Sequence, residues 1–191
     1  TQTSSTIIAN GNDNETAVQQ SGTDNSVYIQ QVGDFNYGEM NQAGVSNNAE
    51  LQQINEFNEA RVEQQISGEQ NATTQYQSGE YNVMMISQGR GAQNVATQRQ
   101  SPEAENNDAV IIQRGSNNQA GQIQEGIENS AGEGWYTIIS NGILQDGNFN
   151  VAEQAQFGDY NSSSIIQTGD FNNATVNQVG DQNTTTIRQQ N

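Results

Sequence analysis

The sequence predicts an all-β solenoid, amyloid-like in its stacking, with two strands per coil, two facing parallel sheets and about eight rungs. Three observations predict it. An asparagine followed six residues later by a glutamine recurs fourteen times in 191 residues. Inside each copy the residue types alternate with period two, which marks a strand whose side chains face opposite ways. At one inward position glutamine replaces an apolar residue only in alternate copies, so equivalent environments recur every second strand.

The repeated pairs, in chain order, are Asn14 and Gln20, Asn25 and Gln31, Asn36 and Gln42, Asn47 and Gln53, Asn58 and Gln64, Asn71 and Gln77, and Asn82 and Gln88. They continue as Asn94 and Gln100, Asn107 and Gln113, Asn118 and Gln124, Asn150 and Gln156, Asn161 and Gln167, Asn172 and Gln178, and Asn183 and Gln189. Nine of the thirteen steps between successive asparagines are eleven residues long. Two variant units extend the series. Thr3-Ser5-Ile7-Ala9 opens it with Ala9 in place of glutamine, and Ile139-Asn141-Ile143-Gln145 fits with Ile139 in place of asparagine. Sixteen units follow, a single array over residues 1–191.

Within a unit Asn172, Ala174, Val176 and Gln178 alternate with Asn173, Thr175, Asn177 and Val179. The recurring set (Asn, small, apolar, Gln) is read as inward, and the freely varying set as outward. Between units Gln-x-Gly-x-x-Asn supplies the reversal, because glycine tolerates positive φ and asparagine hydrogen-bonds nearby backbone. The turn glycines are Gly22, Gly33, Gly44, Gly79, Gly115, Gly126, Gly147, Gly158, Gly169 and Gly180.

The number of strands per coil comes from Gln75, Gln98, Gln122 and Gln154, which occupy the inward apolar position in alternate units, with Ile86, Ile111 and Ile143 between them. Turn aromatics alternate similarly: Phe35, Phe57 and Tyr81 are separated by Ser46 and Gln70. Eight coils at the spacing of adjacent strands make a stack of about 38 Å. Apolar burial in so thin an interior is limited, so asparagine and glutamine ladders along the axis are expected to contribute to stability. The step from Asn118 to Asn150 is 32 residues. It exceeds two units, and the surplus predicts a protruding loop or bulge near residues 130–138, with Trp135 as a lateral-contact residue.

Composition alone reads as disordered: 31% of residues are apolar and the formal net charge is −17. The repeat overrides that reading, and composition then serves to exclude functions. Cysteine, histidine and lysine are absent, so neither a disulfide framework nor a histidine-based catalytic or metal site is expected, and no cofactor is predicted. The five cations are arginines among 22 acids, a balance that repels phosphate backbones and argues against nucleic-acid binding. Apolar runs such as Val83-Met84-Met85-Ile86 are too short to span a bilayer. The array begins by Thr3 and closes at Gln189 with no capping element outside it. Two complementary open edges are thus expected, and a head-to-tail contact between them builds filaments.

Gln42-Ala43-Gly44-Val45-Ser46-Asn47-Asn48-Ala49 to Gln53, and Gln167-Thr168-Gly169-Asp170-Phe171-Asn172-Asn173-Ala174 to Gln178, resemble the curlin repeat, the unit of curli fibres on Gram-negative bacteria. The resemblance extends over essentially the whole chain. It implies an extracellular, cell-surface fibre subunit of the biofilm matrix, exported through an outer-membrane channel with chaperones and started by a nucleator subunit. Because the terminal repeat is intact, the resemblance is closest to the major subunit. The minor nucleating subunit is one alternative, and a soluble adhesin or cation-binding solenoid is another.

Other classes fit less well. Glu59 and Glu63 form an acid pair of the kind used in acid–base chemistry, but outward strand acids without a pocket read as solvated charges. Asp34, Asp159, Asp170 and Asp181 follow turn glycines and could approach one another for Ca²⁺, yet the glycine-rich calcium repeat is missing and solubilising charge is the better reading. An ice-binding face needs regular outward threonines, and only Thr184 and Thr186 approach one, while Tyr28, Glu50, Arg61 and Val151 interrupt it.

Overall fold

The computed structural model describes residues 2–65, 69–131 and 142–191. Its elements are all strands. In chain order they are β1 (Ser4–Asn10), β2 (Glu15–Thr23), β3 (Ser26–Val32), β4 (Tyr37–Val45), β5 (Asn48–Ile54), β6 (Glu59–Gln64), β7 (Ala72–Ser78), β8 (Val83–Gly89) and β9 (Val95–Gln100). Then follow β10 (Asp108–Arg114), β11 (Gln119–Glu125), β12 (Ser130–Ala131), β13 (Gly142–Asp146), β14 (Val151–Phe157), β15 (Ser162–Thr168), β16 (Asn173–Val179) and β17 (Thr184–Gln190).

Successive strands alternate between two parallel sheets. The first sheet runs β1-β3-β5-β7-β9-β11-β14-β16. The second holds β2, β4, β6, β8 and β10, then β12 and β13 sharing one level, then β15 and β17. Each coil therefore contributes one level to each sheet, and the fold is a β-solenoid of about eight turns. Pairing keeps equivalent residues stacked: Gln31 lies on Gln53, then on Gln77, Gln100, Gln124, Gln156 and Gln178. A slip of one residue would turn the inward amides and apolar groups to solvent, so the pattern itself enforces register.

The shared level shows how the array absorbs its surplus. Ser130 and Ala131 pair with Asp108 and Ala109 of β10, and Ile143 to Asp146 pair with Ile111 to Arg114 of the same strand. One strand of ordinary register is thus entered at β12 and resumed at β13. The asparagine position of this unit is filled by Asn129, which ladders with Asn107 and Asn161. This corrects the assignment of that position to Ile139, and the correction follows from an interruption inside the strand rather than in a turn. Of the loop or bulge expected near 130–138, Ser130 and Ala131 are the strand β12; the rest of it, with Trp135, and Ile139 lie outside the described residues.

The core is one residue deep from each sheet. Val27, Ile29, Met40, Ala49, Leu51, Ala60, Val62, Met84 and Ala109 form one buried cluster. Ile86, Ile111, Ile143, Ile165, Val176 and four inward alanines form a second. Between β7 and β14 the first sheet gives up its apolar column to Gln75, Gln98, Gln122 and Gln154, all buried. Gln75 Nε2 donates to Gln98 Oε1 at 3.0 Å and Gln98 Nε2 to Gln122 Oε1 at 2.8 Å. There the ladder stops, because Gln154 Nε2 turns to Ser163, leaving Gln122 Nε2 and Gln154 Oε1 unpaired. Replacing Gln98 by alanine would strand a donor on Gln75 and an acceptor on Gln122, so a loss of about 1–3 kcal/mol is expected. A lowered urea midpoint of the monomer checks it, and an unchanged midpoint would contradict a stabilising internal ladder.

Candidate functional site

The candidate site is the set of ladders running along the stack, because the same contacts repeat from coil to coil and reach the outermost strands β16 and β17 at one end and β2 at the other. Each inward asparagine starts a strand just after a turn. In the second sheet the backbone N–H of Asn36 donates to Asn14 Oδ1 at 3.0 Å, and the same contact repeats from Asn58 to Asn36, Asn82 to Asn58, Asn107 to Asn82, Asn161 to Asn129 and Asn183 to Asn161. In the first sheet it runs from Asn47 to Asn25 and on through Asn71, Asn94, Asn118, Asn150 and Asn172. The side-chain amide also reaches the turn of the next coil: Asn14 Nδ2 donates to the Gly33 carbonyl at 2.6 Å and Asn94 Nδ2 to that of Gly115 at 2.8 Å. Each asparagine thus ties two levels together.

The glutamines close the strands. In the second sheet Nε2 donates to the next Oε1 from Gln20 through Gln42, Gln64, Gln88, Gln113, Gln145 and Gln167 to Gln189, at 2.8–3.0 Å. In the first sheet the same bond runs from Gln31 through Gln53, Gln77, Gln100, Gln124 and Gln156 to Gln178, at 2.9–3.3 Å. Nε2 groups also cross between sheets: Gln42 donates to the Ser26 carbonyl at 3.0 Å and Gln124 to that of Asp108 at 3.0 Å. These amides are buried in all but the outermost coils, where an unmade bond is most costly.

The ten turn glycines all have positive φ, from +95° at Gly169 to +138° at Gly147. A second left-handed residue, which the sequence reading missed, follows two places later. Phe35, Phe57, Tyr81, Phe149, Tyr160 and Phe171 occupy it with φ of 55–59°, alongside Ser46, Asn117 and others. The signal was present as the residue before each ladder asparagine. The geometry lifts the aromatic out of the strand and over the turn. Phe35, Phe57 and Tyr81 stack at 5.0 and 4.8 Å with nearly parallel rings, as do Phe149 and Phe171 at 5.0 Å.

Turn acids have a part beyond charge. Asp34, Asp159, Asp170 and Asp181 accept backbone N–H groups of the preceding coil from Asn12, Ile127, Asn148 and Asp159, at 2.7–3.0 Å. Among the described residues no three acids gather where a metal ion could be held. Glu59 and Glu63 stand outward on β6, and Glu63 accepts a bond from Gln65 at 3.3 Å. Arg61 between them pairs with Glu39 at 3.5 Å. Burial raises the Tyr37 phenol above its ordinary range, aided by the neighbouring Glu39 carboxylate. No helix among the described residues is long and apolar enough to cross a membrane.

Residues 161–190, from ladder Asn161 through Gln189, match the family model described as the curlin associated repeat. No curated relative matches the chain.

Proposed function

We propose that this chain, a curlin-repeat protein by residues 161–190 and by the same spacing along its length, is a structural subunit that assembles head to tail into extracellular curli-type fibres. The observation that carries the reading is the direction of the ladders. Along the two strand-end ladders, from Gln20 to Gln167 and from Gln31 to Gln156, each Nε2 donates toward the next coil, so the second sheet presents a donor at Gln189 and an acceptor at Gln20. Among the described residues, strands β1 and β2 on one side, and β16 and β17 on the other, are each paired along one edge only. Complementary edges on one molecule form a heterologous contact that does not close, and such contacts build filaments. A single domain of this kind fits the continuous stacking of both sheets.

The family resemblance adds a setting: a cell-surface fibre of the biofilm matrix of a Gram-negative bacterium, a nucleator subunit, a secretion channel and export chaperones. The subunit role closest to the repeat pattern is the major one, and catalysis has no part in it. The test is to incubate purified chain at micromolar concentration and follow it by electron microscopy, with and without preformed seeds. Unbranched fibres whose lag is removed by seeds are expected. A chain that stayed monomeric and strand-rich at every concentration would leave a soluble solenoid instead.

A further inference from the structure

The two outer faces of the stack differ between the sheets, and the difference sits at Ala9. In the first sheet Ala9 is registered on Gln31. Gln31 Nε2 donates onward to Gln53 in the ordinary way, but its Oε1 is buried and accepts nothing. The strand before it offers a methyl group where the other coils of that sheet offer an amide donor. In the second sheet the ladder is unbroken from Gln20. Thr3, in the asparagine position, likewise carries no amide. The apolar column is open at the same place: inward Ile7, registered on the fully buried Ile29, is 46% exposed.

A second copy seated on this coil in the ladder register would present Gln178 Nε2 to the first sheet and Gln189 Nε2 to the second. Gln189 would find Gln20 Oε1. Gln178 would find Ala9, which has no acceptor, so its amide would keep only the bonds it already makes, to the Ser162 carbonyl at 3.0 Å and Thr185 Oγ1 at 3.1 Å, and no ladder bond would cross the contact in this sheet. We propose that Ala9 tempers the seating of a second copy of this chain, making the contact laddered through the second sheet alone. The proposal rests on the self-assembly reading above. It assigns to one alanine the control of how readily the coil accepts its neighbour, which the repeat pattern elsewhere would make equal in the two sheets.

The test is Ala9→Gln in the full chain, with Thr6→Gln, an exposed outward position on the same strand, as control. Elongation from wild-type seeds is followed by dye fluorescence. Hydrogen exchange of the monomer is measured on the same samples. Ala9→Gln is expected to elongate at least about fivefold faster, from one added amide contact, and Thr6→Gln to stay near wild type. In the monomer the introduced amide should also pair with Gln31 and slow exchange across β1. Elongation at the wild-type rate would overturn the proposal. So would slower elongation, which would mean that β1 must open for a neighbour to dock. If wild type and both variants form no fibres while Ala9→Gln still slows exchange, the assembly reading fails and takes this use of Ala9 with it. If wild type assembles and Ala9→Gln does not differ, only Ala9's role fails.

Discussion

Replacing Gly115 by alanine is expected to destabilise the monomer by about 3 kcal/mol or more, the cost of holding a side chain in a conformation normally reserved for glycine plus a steric clash. The backbone there has φ of +96°, and an added Cβ would overlap the Gly147 carbonyl oxygen of the next coil. The neighbour has little room to give. That carbonyl accepts the Asn118 side-chain amide at 2.8 Å, and its residue's own N–H is held by the Arg114 carbonyl at 3.0 Å. One methyl would thus disturb the turn, the asparagine ladder and the spacing between coils together. Gly121 supplies the internal contrast. It lies on the outer face of β11 with nothing within 4 Å of an added Cβ, so Gly121→Ala should be neutral or slightly stabilising. Urea midpoints of the two variants decide it. Equal midpoints would mean that the turns do not set the distance between coils.

The second large effect is expected at Ile111. Its side chain is fully buried and stacked in register between Ile86 and Ile143, so truncation to alanine should cost about 2–5 kcal/mol. The core is only two side chains thick, and surrounding ladders restrict the relaxation that would fill the cavity. Ile123, on the outer face of β11 and 38% exposed, should lose far less on the same change, roughly 0.5 kcal/mol. Comparable losses at the two sites would contradict the inward and outward division of the strands.

Most of this architecture was legible in the chain because a strict repeat converts position into environment. Asparagine and glutamine six residues apart bracket one strand, and alternate placement of Gln75, Gln98, Gln122 and Gln154 revealed that equivalent strands are two units apart. In the structure those four share the first sheet. What escaped notice was geometry that no repeat spacing encodes. The left-handed residue before each ladder asparagine is filled by phenylalanine, serine, glutamine or aspartate alike, so its backbone requirement leaves no single residue type to read. Asn129 was overlooked because its glutamine partner, Gln145, lies sixteen rather than six residues away, on the far side of an interruption within the strand. The turn aspartates looked like surface charge, since a carboxylate accepting an N–H from the preceding coil has the same sequence signature as a solvated one. The stop in the internal ladder at Gln154 depends on Ser163, a residue of the facing sheet, and only folding brings the two together.

The most direct test of the central claim is diffraction from aligned fibres of the purified chain. If copies stack through their outermost coils, the strand spacing of the monomer continues unbroken along the fibre, and a sharp reflection near 4.8 Å must lie on the fibre axis. A reflection at that spacing perpendicular to the axis, or aggregates with no ordered strand repeat, would contradict assembly by continuation of the ladders.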